Sequence, residues 1–398
     1  MTTTSPSIDE RLPLSGVRVV EFTHMVMGPT CGMILADLGA EVIKVEPPGG
    51  DKTRRLPGLG MGFFRTYNRN KKSVVLDIDS PEGREAALRL IGEADVMIEN
   101  FRPGRMASLG LGYATLAARF PRLIYASHKG FLPGPYENRA ALDEVVQMMA
   151  GLAYMTGPVG RPMRAGAPVN DMMGGMFGVI GIQAALIERA HTGRGQEVQS
   201  SLYENCVWLC SPHMQQFAMS GEAPPPLAQR VSAWSVYDVF TLAGDAQLFI
   251  AATSDRHWQI LCEILGQPQW AADPALQTNR QRVELRPRLL PQLAEVLKQR
   301  DLNDMIAQLD AAGLPYAPIR RPHELFDDPH LNESGGLTEL SLGNGDSTRM
   351  PLLPLMLGGR RPGVHGSIPQ VGDSTQAVLQ ELGYSEEQIA RLGAPVRA

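Results

Sequence analysis

The stretch "GVRVVEFTHMVMGPTCGMILADLGAEVIKVEPP", Gly16 to Pro48, decides the fold. It opens on an apolar, β-branched run, "GVRVVEFTH", that reads as a strand. "CGMILADLGA" follows with Met33, Ile34 and Leu38 at helical spacing and closes on Gly39. "EVIKVEPP" is a second strand, stopped by Pro47 and Pro48. Strand, helix, strand in this order predicts a parallel sheet. The first turn also argues against one ligand class. A dinucleotide fold needs G-x-G-x-x-G there, so that the backbone approaches a pyrophosphate. Only Gly28 and Gly32 are present, with Pro29 between them, so NAD or FAD held in the usual manner is not expected.

Outward from this unit, "SPEGREAALRLIGEA" starts a helix with Ser80 as N-cap and Pro81 in the first turn. "DVMIEN" and "RLIYASHKG" read as further buried strands. Residues 1–218 are thus the N-terminal part of a large, doubly wound, Rossmann-like α/β domain. Residues 219–230, "MSGEAPPPLAQR", read as an exposed linker. Residues 231–328 read as a smaller α+β domain, from "QLFIAATSDRHWQILCEILG" and "LNDMIAQLDAAGLPYAPIR". Residues 329–398 form a Gly/Pro-rich tail with a last short helix around "STQAVLQELG". With little periodicity of its own, the tail is expected to lie against another body, either the large domain or a partner chain.

Composition narrows the function. A chain of 398 residues, 43% hydrophobic and 20% charged, has a real core. Its net charge of −5, without a Lys/Arg-rich block, speaks against a nucleic-acid partner. The N-terminus lacks the apolar core of a signal peptide. The longest apolar run, Met172 to Ile187, is interrupted by Gly174, Gly175, Gly178, Gly181 and Gln183, so a packed core helix is expected and no membrane span. Cys31, Cys206, Cys210 and Cys262 form no CxxC pair, which fits a reduced, cytoplasmic protein. His24, His128 and His257 lack metal-ligand spacing, and no Ser/His/Asp arrangement is recognisable. No metal is expected.

Two places carry charge where chemistry is possible. In "ENFRPGRMASLGLG", Asn100, Arg102 and Arg105 follow a strand, where open α/β sheets bind ligands. The arginines suit a phosphate group, and equally a solvated polar loop. In "RAGAPVNDMMGGMFGVIGIQAAL", Arg164 to Leu186, Asp171 is the lone carboxylate at the head of an apolar helix. It reads as an N-cap or as a nucleophile, with Gly174 and Gly175 letting a substrate approach backbone donors. Patterning leaves both readings open.

The chain resembles the class III CoA-transferases, which include formyl-CoA transferase, carnitine CoA-transferase and α-methylacyl-CoA racemase. The resemblance covers nearly the whole length and rests on nine stretches in family order. They are "LSGVRVVEFTHMVMGP", "LADLGAEVIKVEPPGGD", "NRNKKSVVLDIDSPEG", "ADVMIENFRPG", "SHKGF", "DMMGGMFGVIGIQAAL", "HTGRGQEV", "DDPHL" and "ELGYSEEQI". It implies that Asp171 attacks an acyl-CoA carbonyl, forming a mixed anhydride and then an aspartyl-CoA thioester. It implies further that Asn100, Phe101 and Arg102 line the CoA site. Leu76, Asp77, Ile78 and Asp79 would border its nucleotide end, Leu142 and Asp143 its pantetheine path, and Val26 and Met27 the reacting acyl group. The implied assembly is an interlocked homodimer of chains with a large and a small domain.

Departures from the family pattern shape the expectation. Leu142 stands where the racemase branch carries a histidine, and Val26 where the oxalate branch has a glutamine. Residues 230–250 lack that branch's glycine run, and Pro47 replaces its basic residue. The expected activity moves CoA from an acyl-CoA to a short-chain or dicarboxylic acid, with no permanently bound cofactor. Arg164, Arg139 and His24 are candidates for the acceptor carboxylate. The alternatives are an acyl-CoA racemase or isomerase, and a non-catalytic CoA-binding protein.

Overall fold

A computed structural model describes residues 12–229, 232–342 and 345–392. The N-terminal segment read for a leader, up to residue 11, and Arg230 of the linker lie outside them. The chain divides into two compact units. One takes in the chain up to Ala228 and again from Pro329; the other is Gln229–Asp328.

The first unit is built on a six-stranded sheet of β1 (Arg18–Phe22), β2 (Glu41–Glu46), β3 (Lys71–Val75), β4 (Val96–Glu99), β5 (Ile124–Lys129) and β6 (Glu197–Ser201). Every pairing is parallel and the order is β3-β2-β1-β4-β5-β6. This is the doubly wound order that the sequence pattern predicts. The helices that shape the site are α1 (Met27–Asp37), α2 (Pro81–Gly92), α3 (Asp143–Met149), α4 (Val169–Thr192) and α5 (Leu202–Ser220). Alternating side chains leave the strands on opposite faces. Val20, Ile43, Met97 and Tyr125 join Ala86, Leu90 and Ile91 of α2. Val19, Val42, Ile98 and Ala126 meet Leu35 of α1 and Val179 and Ile182 of α4. Both faces are covered, which is why the strands read as nearly unbroken apolar runs.

Local signals act as their chemistry dictates at α2, where the Ser80 hydroxyl accepts from the Gly83 amide at 3.0 Å and Pro81 opens the helix. They act differently at α1 and α5. The first helix starts at Met27, two residues before Pro29, and α5 runs on to Ser220, into the stretch read as linker.

The tail seals the edge strand β3. Asn70 Oδ1 accepts from the amides of His365 and Gly366 at 2.9 and 2.8 Å. Gly372 donates to Ser73 Oγ at 2.8 Å, and the Val75 amide to Thr375 Oγ1 at 3.0 Å. An otherwise open row of backbone groups is thereby closed. The tail also carries the antiparallel pair Leu337–Ser341 and Ser347–Pro351, and the short helix at Thr375–Glu381.

The second unit has a three-stranded antiparallel sheet of Val236–Thr241, Gln247–Ala252 and Tyr316–Pro318. Helices at Asp255–Leu265, Arg286–Leu297 and Leu302–Ala312 surround its own core of Trp258, Leu261, Leu293 and Leu309.

Candidate active site

In a sheet of this order the crevice lies where the winding reverses, beyond the carboxyl ends of β1 and β4. The loops leaving those two strands are tied by one side chain. Asn100 Oδ1 accepts from the His24 amide at 3.0 Å, while its Nδ2 donates to the His24 carbonyl at 2.8 Å. Phe101 lies beside the His24 ring, with centroids 5.6 Å apart. From this turn α1 starts at Met27 with Val26 before it, and no side chain caps it. Its first amides have no hydrogen-bond partner among the described residues.

Helix α4 brings Asp171 to the same place. Gly174 of α4 faces Met27, and a Cβ there would lie 2.2 Å from Met27 Cε. Gly28 in turn faces Asn100, at 3.2 Å from where its own Cβ would be. Asp171, Met27 and Asn100 thus follow one another around the head of the crevice.

Three expectations about Asp171 and its neighbours are corrected here. Asp171 is not the N-cap, because α4 begins at Val169 with Pro168 before it, and Asp171 sits inside the first turn. The capping carboxylate comes from α3. Asp143 Oδ2 accepts from the amides of Asn170 and Asp171 at 2.8 and 3.0 Å. Gln147 donates to the other Asp143 oxygen and accepts from the Ala165 amide at 2.8 Å. The Met172 amide is bonded to the Pro168 carbonyl at 3.0 Å, so the first turn of α4 has little left to offer an oxyanion. Gly174 and Gly175 do not open the helix to a substrate. Both are buried against α1, where a Cβ on Gly175 would come within 2.7 Å of Thr30 Cβ. They let two helices approach closely.

With its helix sealed by another carboxylate, the Asp171 side chain has no hydrogen-bond or ion-pair partner among the described residues. Burial, then the charges of Asp143 and Glu144, push its pKa up to about 7. Tyr67, buried beside Val26 and Met33, has its phenol held above the ordinary range by burial and by the Asp171 charge.

The other expected site residues divide. Val26 and Met27 lie at the crevice, buried in its wall. Leu76 is sealed in the core and Ile78 packs against it, leaving Asp77 and Asp79 as the polar groups of that segment. Arg105 pairs with Asp79, so the two charges satisfy each other, while Arg102 is exposed. Leu142 is exposed next to the buried Asp143. Of the acceptor-binding candidates, Arg164 is taken by Glu144 at 2.5 Å and Arg139 lies over the Tyr136 ring. Pattern reading missed the residues that hold this geometry, among them Gln147, Lys44, Lys71 and Thr53. A lysine inside the apolar strand "EVIKVE" was the available signal.

Residues 14–375 match the sequence model of CoA-transferase family III. The chain belongs to that family. It is 33% identical over 385 residues, 93% of this chain and 96% of the relative, to the succinyl-CoA:mesaconate CoA-transferase of Haloarcula hispanica. It is 34% identical over 396 residues, 96% of this chain and 98% of the relative, to the succinate–glutarate CoA-transferase of Agrobacterium fabrum. The crystal structure of a CAIB/BAIF family protein from Brucella suis superposes with a TM-score of 0.86 at 33% identity, covering 94% of this chain and all of that one. This family III CoA-transferase is therefore an enzyme whose substrates are CoA thioesters. No helix among its described residues is long and apolar enough to cross a membrane.

Proposed function

We propose that the enzyme transfers CoA from an acyl-CoA to a small dicarboxylic acid through covalent intermediates on Asp171. The observation that carries this reading is the Asp171 carboxylate. It is desolvated, unpaired and raised to about 7, at the head of the crevice. A carboxylate of that basicity is ionised near neutral pH and poorly solvated, so it is a better nucleophile than an exposed aspartate. Attack on the thioester carbonyl gives an aspartyl anhydride and CoA thiolate. Return of the thiolate to the aspartyl carbonyl gives the aspartyl-CoA thioester and releases the first acid. The acceptor carboxylate then attacks that thioester, expelling CoA thiolate and forming a second aspartyl anhydride, and the thiolate takes the new acyl group and frees Asp171.

Because Asp143 occupies the amides of α4, the oxyanions of these steps are assigned to the uncapped start of α1, at Val26, Met27 and Gly28. CoA is assigned to the loops after β3 and β4, with Asn100, Phe101 and Arg102 nearest the reacting end and Asp77 and Asp79 at the nucleotide end. The mesaconate and glutarate in the relatives' names support a dicarboxylic acceptor. Leu142, in place of a second acid/base group, favours transfer over racemisation.

An interlocked homodimer is the assembly we infer. It is supported by Met172, Met176, Ile180 and Ile187 exposed along α4, with Trp208 and Phe217 exposed on α5, an apolar row that single chains rarely leave uncovered. Four buried free cysteines suit the cytoplasm. The deciding experiment is intact-protein mass spectrometry after mixing with succinyl-CoA, with and without hydroxylamine. A CoA-sized adduct or hydroxamate on Asp171, absent in Asp171→Asn, supports the reading. Deuterium uptake at an acyl α-carbon without any adduct replaces it with isomerisation, and CoA binding with neither signal leaves a binding protein.

A further inference from the structure

The turn from Thr23 to Pro29 is held from beneath by charges that the chemistry above does not use. Lys44 on β2 and Glu21 on β1 are fully buried, and Lys71 at the start of β3 nearly so. Lys71 Nζ donates to Glu21 Oε1 at 2.8 Å, to Asn68 Oδ1 at 3.0 Å and to the Pro29 carbonyl at 2.9 Å. Lys44 Nζ donates to the Thr23 carbonyl at 2.6 Å and pairs with Asp51 at 3.2 Å and Glu21 at 3.7 Å. Asp51 Oδ1 accepts from Thr53 Oγ1 at 2.7 Å, and that same hydroxyl accepts from the Met25 amide at 3.0 Å.

Two ammonium groups and one hydroxyl, backed by the carboxylates of Glu21 and Asp51, thus hold three backbone groups of one short turn. The turn needs holding. Met25 has φ of 61°, a left-handed conformation in which a non-glycine residue persists only when its surroundings over-determine it. Helix α1 also passes directly over the cluster. A Cβ on Gly32 would lie 1.8 Å from Glu21 Oε2, so only glycine fits.

Stability alone is a poor explanation for such a cluster. Burying paired charges often gains nothing over a packed apolar pair of similar volume. Backbone carbonyls at both ends of a turn that carries the reacting end of the crevice are the kind of group a fixed charge is suited to hold. We propose that Lys44, Lys71 and Thr53 form a three-point clamp whose role is positioning. It fixes Thr23, Met25 and Pro29 so that the amides at the start of α1 keep their place opposite Asp171. The inference rests on Asp171 being the nucleophile, and the closing experiment separates the two ideas.

The test follows the rate of adduct formation on Asp171 after rapid mixing of full-length enzyme with succinyl-CoA, beside CoA affinity by calorimetry and thermal melting. Lys71→Met alone leaves the buried Glu21 with only its longer pair to Lys44, so the informative variant is Glu21→Gln/Lys71→Met, which removes both charges together. The expected result is a CoA Kd within about twofold of wild type, a folded protein, and adduct formation slowed about 100-fold, the loss that a displacement of about 1 Å brings. A role in folding alone would shift the melting temperature and leave that rate unchanged. Thr53→Val changes no charge and answers the question if the double variant does not fold; a tenfold slowing with unchanged Kd is expected. Adduct formation within threefold of wild type in either folded variant overturns the clamp. Absence of any adduct in the wild type instead removes the Asp171 mechanism, and the clamp's role with it.

Discussion

The two helix starts that meet at the crevice are built in opposite ways. Helix α4 is sealed, its first amides taken by Asp143 from α3 and by Pro168. Helix α1 is uncapped, and the polar side chains around it bind the turn before it and leave its amides free. The difference separates two tasks. Sealing α4 with a carboxylate withholds from Asp171 the stabilisation that a helix N-terminus gives an anion, and adds a like charge beside it. Together with burial, the larger cause, this leaves a carboxylate whose pKa is raised to about 7. Leaving α1 open keeps backbone donors for negative charge that develops during the reaction.

The hardest blow to this comparison is Asp171→Asn. Adduct formation and CoA exchange are expected to fall by roughly 10³-fold or more, with CoA affinity by calorimetry nearly unchanged. A variant retaining a tenth of the wild-type rate would mean that the nucleophile lies elsewhere.

The sealed start is tested next by Asp143→Ala. Two amides and Gln147 lose their acceptor, at a cost of about 1–3 kcal/mol in urea unfolding. The same change removes a like charge, so the acid limb of activity should move to lower pH. A limb that stays in place would show that burial and Glu144 raise Asp171 without Asp143.

In the wild type, kcat/KM should fall below about pH 7 as Asp171 takes up a proton. Stability runs the other way. The folded protein holds this proton more tightly than the unfolded chain, whose aspartates titrate near 3.8. The stability that Asp171 contributes is therefore complete below about pH 4 and lost as pH rises through 7. Three pKa units set an upper bound of about 4 kcal/mol, which solvent screening of a half-buried group reduces. Asp171→Asn should match wild type near pH 4 and melt higher at pH 8. Parallel melting curves across that range would contradict the raised pKa.

The smallest effect is expected at Arg105→Ala. Its pair with Asp79 is largely exposed, so the loss in stability should be within about 1 kcal/mol. A CoA affinity that falls more than tenfold would show that Arg105 leaves Asp79 for a phosphate group when CoA binds.

Local chemistry made much of this protein legible. Nearly unbroken apolar runs and apolar residues at helical spacing, with Ser80 and Pro81 opening α2, predict a doubly wound parallel sheet. The lone carboxylate at the head of a glycine-bearing apolar helix marks Asp171 in the sequence. Near-neighbour reasoning also explains the error there. Asp is a favoured cap, and nothing within a few residues shows that the cap is Asp143, 28 positions away. The lysines of "EVIKVE" and "NRNKKS" are visible as charges in apolar surroundings. That Lys71 ends on the carbonyl of Pro29 is not visible, because 42 residues separate them.

The sequence by itself therefore determined which segments become strands and helices, and that one carboxylate stands out. Both follow from interactions between residues a few positions apart. Only the tertiary structure decided that Asp171 is left unpaired while Asp143 caps its helix, that Gly174 and Gly175 serve packing, and that the start of α1 stays open. Each of those depends on which distant group reaches a backbone amide or carbonyl first, and chain folding settles that through burial and distance, which spacing along the sequence does not encode.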